Sequence, residues 1–202
     1  MSFEKATDFT VDLNAYLALA FALLERAVIE RHSPMHIVSI ASIGLDGRPR
    51  NRIVVLRAFD ADLRLLRFHT DLRSDKFEEL GADQRVALLF YDPETKIQLR
   101  IEGQAELHKD DAIADHAWQT SYASSRQAYG TEPAPGSVIP EGHAFKVPEN
   151  TDDAAAGRRH FAAVRVRCER LECLWLGDTG HRRALFEWKA AEAEPVMRWL
   201  VP

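Results

Sequence analysis

The chain has 202 residues, 46% of them hydrophobic and 28% charged, with a net charge of −5. That length buries a core without disulfide or metal staples and predicts one domain, 1–202. The composition excludes a fibrous or disordered chain, and the acidic balance argues against general affinity for nucleic acid. The longest apolar run, Ala15 to Leu24, is too short for a membrane span. No basic leader followed by an apolar stretch opens the sequence, so a cytoplasmic protein is expected.

In chain order, Leu13, Leu17, Ala20, Phe21, Leu24 and Val28 recur at helical spacing and predict an amphipathic helix over about 12–31, ended by Pro34. From Met35 the period changes to short β-rich runs. Met35–Ile43 leads through the turn residues Gly44-Leu45-Asp46-Gly47 into a strand at Arg50–Phe59, and Asp60-Ala61-Asp62 turns the chain into Leu63–Thr70. Ser74–Gly81 reads as a short helix, with Ser74 as N-cap and Gly81 as stop. Arg85–Tyr91 and Lys96–His108 form another strand pair. In the second, Ile97, Leu99 and Ile101 alternate with Gln98, Arg100 and Glu102, as in a half-buried strand.

Asp110 to about Ser125 is predicted helical. Residues from about 130 to 157 carry Pro133, Pro135, Pro140 and Pro148 and little periodicity, so a long loop serving a site or interface is expected. Strands resume at Phe161–Glu169, Leu171–Leu176, Arg183–Trp188 and Val196–Val201. About eight strands with two or three helices, without βα alternation, predict a mainly β protein: an antiparallel, Greek-key-like barrel with helices at its ends.

Motif chemistry is first a matter of exclusion. There is no GxxxxGK[ST], no GxGxxG after a strand, no HExxH and no GxSxG. Cys168 and Cys173 lack the companions of a structural zinc site, so no metal is expected and both read as buried thiols in a reducing compartment. Charge is concentrated instead. Between Arg48 and Lys76 eight basic residues face four acidic ones, +4 in that window against −9 elsewhere. Such an island suits a small anion; a solvated strand face with edge charges is the other reading. A phosphate group needs guanidinium or ammonium groups plus hydroxyls, and Arg52, Arg57, Thr70, Ser74 and Lys76 offer them.

Arg52-Ile53-Val54-Val55-Leu56-Arg57, followed by Phe68-His69-Thr70-Asp71-Leu72-Arg73-Ser74-Asp75-Lys76, resembles the FMN-binding core of the pyridoxamine 5′-phosphate oxidase family, written R-x-V-L-L-K/R and F-Y-T-N-x-x-S-R-K. Ile97-Gln98-Leu99-Arg100-Ile101-Glu102-Gly103 is similar to its R-Q-V-x-x-x-G strand. Ser137-Val138-Ile139-Pro140 is similar to a loop of some members. Trp175, Arg183-Ala184-Leu185-Phe186 and the ending Arg198-Trp199-Leu200-Val201-Pro202 match its last motifs in order.

The resemblance implies an FMN-binding split β-barrel working as a homodimer, with FMN in a groove between subunits. Arg52, Ser74 and Lys76 would hold the phosphate, Ile53, Val54, Val55 and Arg57 would line the cofactor, and His69 and Thr70 would follow the ribityl chain or ring. Gln98, Trp175 and Arg183 would come from the partner. It further implies an FMN-dependent oxidase passing hydride from a small phosphorylated or anionic substrate to flavin N5, with dioxygen as reoxidant. Arg57, Arg126, Tyr129 and His181 would bind that substrate, Arg57 and His181 among them as catalytic groups.

The sequence departs from the family where Asp75 replaces a basic residue and where the arginine of an R-x-H pair before Arg183 is missing. Two alternatives therefore stand beside the oxidase: a nicotinamide-fed flavin reductase of the same fold, and a flavin- or B6-binding protein without turnover.

Overall fold

The computed structural model describes residues 8–149, 157–178, 180–189 and 194–202. Helix α1 spans Leu13–Ile29 and is started by Asp12, whose carboxylate accepts from the backbone N–H of Asn14 (2.8 Å) and Ala15 (3.0 Å). A cap of this kind contributes about 1 kcal/mol. Its apolar stripe, Tyr16, Ala20, Leu23, Leu24 and Ala27, is buried on the sheet. The helix ends at Ile29, ahead of Pro34; the proline instead opens a 3-10 turn, Pro34–His36, where its fixed φ is favourable.

Nine strands follow among the described residues: β1 Ile37–Ile43, β2 Pro49–Val55, β3 Ala58–Asp60, β4 Leu65–Asp71, β5 Arg85–Asp92, β6 Ile97–His108, β7 Phe161–Trp175, β8 Arg182–Glu187 and β9 Val196–Leu200. All pairings are antiparallel, in the order β2-β1-β5-β6-β7-β4-β3, with β8 on the second half of β7 and β9 on β8. The two ends of that path, β2 and β3, are consecutive in the chain. The sheet therefore curls until Leu56 and Arg57 carry the backbone across the gap, tied by Leu56 N–H to His36 O (2.9 Å) and Arg57 N–H to Arg67 O (2.7 Å).

Inward-facing residues of both halves, among them Ile40, Val54, Phe68, Phe90, Leu99, Val166 and Phe186, join the α1 stripe in one core. Each such side chain contributes roughly 1.5–3 kcal/mol by leaving water. α2 (Asp75–Ala82), α3 (Ala112–Gln119) and α4 (Ala123–Gln127) lie around the barrel. Among the described residues no helix is long and apolar enough to cross a membrane.

Several boundaries differ from the sequence expectation. The strand expected at Arg50–Phe59 is two strands, split at the crossover. The two expected at Phe161–Glu169 and Leu171–Leu176 are one strand, β7, because its partners change along its length while its own direction does not. β4 pairs with Phe161–Arg167 and β8 with Arg170–Trp175. The helix expected over Asp110–Ser125 is broken into α3 and α4 around Ser121. Gly81 does not stop α2, which runs on to Ala82.

A register shift at Glu102/Gly103 marks the hinge of β6 on β7. A Cβ on Gly103 would lie 1.9 Å from the carbonyl oxygen of Arg167, so only glycine permits the two strands to pass there. The long loop is irregular from Thr131 to Glu149 apart from one bridge, Glu132 to Lys146, and residues 150–156 of it lie outside the described residues.

Candidate functional site

The turn that ends β4 and starts α2 gathers the expected anion-binding groups. Thr70 and Ser74 hydroxyls are 3.1 Å apart, and Ser74 Oγ donates to Asp71 O (2.7 Å). Ser74 is thus the N-cap of α2 by backbone position, while its hydroxyl is not used as a cap. Two residues on, Lys76 projects from the first turn. On the facing strand β2, Arg52 donates to Ser42 Oγ and to the carboxylate of Glu79. Arg52, Thr70, Ser74, Lys76 and Glu79 line one cavity of about 510 Å³, with Arg50, His69, Tyr129, Pro135 and Gly136 completing its wall.

Burial and the neighbouring Arg52 pull the Lys76 ammonium down to about 8, against the opposing pull of Glu79. Arg73 seats the loop over this cavity: it binds Asp71 (2.8 Å), the carbonyls of Tyr129 (3.3 Å) and Thr131 (3.1 Å), and Glu132 (3.1 Å).

A second, smaller cavity of about 190 Å³ adjoins the first, and His69 lines both. Arg57, Arg67 and Arg31 surround it together with Thr120, Ser121 and Tyr122. Arg31 stacks on Tyr122, 3.7 Å above the ring. No carboxylate among the described residues forms an ion pair with Arg31, Arg57 or Arg67. Burial, then Arg67 and Arg57, push the His69 imidazole down to about 3, so it is neutral at physiological pH. Its Nε2 is buried without a hydrogen-bond partner among the described residues. The crossover after Val55 is what sends Arg57 to this cavity and leaves Arg52 in the first.

Other expected residues stand elsewhere. Ile53 lies exposed on the outward face of β2, Val54 is in the core, and Val55 is half-buried. Tyr129 reaches the first cavity with its ring against Trp118 and Phe161, and burial raises its hydroxyl to about 12. Arg126 is turned away: its Nε donates to Ser121 O (3.1 Å) and its guanidinium lies over Trp118.

Gln98 and Arg183 share one row of the outward sheet face, both paired with Leu174. Thr70 is paired with Ala162, twelve residues back along β7, and neither Gln98 nor Arg183 lines either cavity. Arg183 there binds Glu172 (2.8 Å). Trp175 is on the inward face, edge-on to Phe9 and covered by Gly177. His181 is exposed beside the C-terminal residues Trp199–Pro202. The sequence reading counted Arg67 in the cationic island without giving it a role, and it missed Ser42, Glu79, Arg31 and Tyr122. Of these four, only Glu79 carries a signal that could have found it, its i, i+3 spacing from Lys76 on α2.

Comparison with known proteins gives these cavities a context. Residues 19–109, which contain Arg52, Arg57, His69, Thr70, Ser74 and Lys76, match the family model described as pyridoxamine 5′-phosphate oxidase, FMN-binding domain. A pyridoxine/pyridoxamine 5′-phosphate oxidase of Rubrobacter xylanophilus is 31% identical over 170 residues, 77% of this chain and 76% of that one. The chain belongs to the pyridoxamine 5′-phosphate oxidase family. FMN is the cofactor of its matched domain.

Other relatives match over less: the Arabidopsis thaliana oxidase is 37% identical over 107 residues, 50% of this chain and 54% of its own. The match to the Chromobacterium violaceum oxidase, 38% identical over 95 residues and 47% of this chain, covers 44% of that protein. The chain thus spans about half the length of these two relatives. Among solved structures, an FMN-binding protein of Nostoc punctiforme superposes with a TM-score of 0.71 at 22% identity, covering 100% of both chains. PhzG of Burkholderia lata, in complex with tetrahydrophenazine-1-carboxylic acid, gives 0.70 at 20% identity, over 100% of this chain and 98% of that one. These two share the fold.

The residues present fit an FMN-sized anion. Lys76, half-buried in the cavity, has no hydrogen-bonding or ionic partner among the described residues. Arg52 spends two of its donors on Ser42 and Glu79 and keeps three. Two hydroxyls and the start of α2 complete a donor set suited to phosphate.

Proposed function

We propose that this family member is an FMN-dependent oxidase of a small anionic substrate, acting as a homodimer of a chain that forms one domain. The observation that carries this reading is the adjacency of two cationic cavities across one residue, His69. In it Arg52, Lys76, Thr70 and Ser74 hold the cofactor phosphate, and Arg57, with Arg67 behind it, holds the negative end of the substrate. Bound FMN supplies hydride acceptance at N5 and reoxidation by dioxygen. The protein's part is orientation: two anchored anions fix the distance between the reacting groups, which removes much of the entropic barrier. Neutral His69 separates the cavities without adding charge to either.

The relatives named as oxidases make pyridoxamine or pyridoxine 5′-phosphate the first substrate to test. Arg126 engages its own helix end, so we assign the substrate anion to Arg57 and leave Tyr129 to the cofactor side.

Dimer formation is supported by the outward face of β1, β2 and β5. Ile37 (46% exposed), Ile53 (62%), Leu89 (44%) and Tyr91 (44%) lie on it. Gln98 and Arg183 lie on the same face and line neither cavity of their own chain. A second copy laid on this face buries the apolar row and brings Gln98, Arg183 and His181 toward the partner's cofactor. The two buried free cysteines suit a reducing, cytoplasmic setting.

A visible absorption spectrum of the purified protein with added FMN tests the cofactor, and aerobic incubation with pyridoxamine 5′-phosphate tests the reaction. Flavin bands and accumulation of pyridoxal 5′-phosphate are expected. A yellow protein that forms no aldehyde yet bleaches with NADPH would make it a reductase, and a colourless one refutes the cofactor site.

A further inference from the structure

Glu79 is 4% exposed, and no motif singles it out. It accepts from Ser42 Oγ (2.7 Å) and from Arg52, and Arg50 Nε stands 3.9 Å away. Arg52 also donates to Ser42 Oγ, so the guanidinium is gripped by a serine–carboxylate pair while the residue lines the cavity with three N–H donors unspent on that pair. Lys76 sits one helical turn before Glu79 on α2, on the same face. A buried ion pair that served packing alone would be complete without the cavity. This one forms the cavity wall beside a lysine that lies over the Phe68 ring and has no hydrogen-bonding or ionic partner among the described residues.

We propose that Glu79 is a positioning residue for the phosphate end of the cofactor, acting through Arg52, which it orients, and through Lys76, beside which it supplies negative charge. The inference rests on the assignment of this cavity to FMN. The charged and titratable groups facing Lys76 are Arg50 and Arg52 from β2, His69 and Asp71 from β4, Asp75 and Glu79 from α2, and Tyr129. Asp71 is taken by Arg73, Arg50 binds Asp46 (3.0 Å), and His69 and Tyr129 are neutral at pH 7. Asp75 is exposed. Of the carboxylates, Glu79 is the one that opposes the effect of burial and Arg52 on the ammonium. Removing its charge leaves Lys76 beside an uncompensated guanidinium and brings loss of its proton into the neutral range.

The experiment is FMN binding by quenching of flavin fluorescence between pH 7 and 9.5, where the phosphate is a dianion, with riboflavin as the ligand lacking phosphate. Wild-type affinity for FMN is expected to hold up to about pH 8 and to fall above it, following the free lysine. Glu79→Gln keeps the shape and an acceptor oxygen. Its affinity should fall from about pH 7 upward and be roughly five-fold weaker than wild type at pH 8 and about nine-fold weaker at pH 9, as for a lysine that loses its proton about one pKa unit earlier. Riboflavin binding should not change. Adding Lys76→Arg, a cation that does not titrate in this range, should flatten the profile, and Glu79→Asp should restore part of it.

Ser42→Ala provides a second, milder variant: it releases one edge of Arg52 and should weaken FMN with no shift in the pH profile. A Glu79→Gln protein with the wild-type pH profile overturns the proposal. So does equal weakening of FMN and riboflavin, which is the mark of a structural role. A wild type that takes no FMN at all overturns the cavity assignment itself, a different result from either.

Discussion

Arg52 and Arg57, five residues apart on what reads as one strand, line separate cavities with His69 between them. In a regular strand they would point to opposite faces. The chain resolves this by ending β2 at Val55 and crossing to β3, so that one arginine stays with α2 and the other meets Arg67. One short peptide thereby serves two anions.

If the first cavity holds the cofactor phosphate, Arg52→Ala with Lys76→Ala should abolish FMN retention. The dimer should persist, since both residues lie off the outward apolar face. Flavin stoichiometry after gel filtration and the elution volume read the two outcomes together. A double variant that stays yellow at full stoichiometry places the phosphate elsewhere.

Arg57→Ala addresses the second cavity. Loss of a charge-assisted contact worth about 2 kcal/mol should lower kcat/KM for an anionic substrate roughly 30-fold, mainly through KM. FMN content should be unchanged. Equal loss toward an uncharged analogue would show that Arg57 does not read the anion.

His69 makes stability depend on acidity. Its folded pKa, about 3, lies below its ordinary 6.5, because burial and two arginines oppose the charged ring. As pH falls through 6.5 the unfolded chain takes up the proton first. Stability attributable to this group is therefore full above pH 6.5 and is lost progressively down to about pH 3. His69→Phe keeps the edge contact with Phe161 and cannot titrate. Its denaturation midpoint should fall less than that of the wild type across this window; parallel curves would assign the acid limb to other groups.

Gly103→Ala tests the hinge of β6 on β7. Backbone must move to admit a methyl group 1.9 Å from a carbonyl oxygen, and a cost of about 3 kcal/mol is expected. A thermal melt should show a marked drop in Tm, whereas Gly142→Ala, with open space around its Cβ position, should melt like the wild type.

The strands were legible where alternation was clean, as in Ile97, Leu99 and Ile101, and Arg52, Thr70, Ser74 and Lys76 were legible as a set because they fall in one short segment. β7 was read as two strands since the charged Glu169-Arg170 pair resembles a turn; only the change of neighbours from β4 to β8 shows that the backbone runs straight through. Ser42 and Glu79 were missed because their role depends on a cross-strand diagonal and a helix face that meet in space. Arg31 and Tyr122, from the turn after α1 and the junction of α3 and α4, are ninety-one positions apart in the sequence and are joined by a stacking contact that leaves no pattern in it. Arg126 failed the reverse test: residue type suited a site, but a local carbonyl claimed it.

The crossover at Leu56–Arg57 also makes the barrel a clasp. β2 and β4 share no ladder of hydrogen bonds among the described residues, yet Arg52 stands on one and Thr70 on the other. Any molecule held by both fastens the two edges, so occupancy and closure of the seam are a single equilibrium, and the folded state gains stability with ligand concentration by mass action.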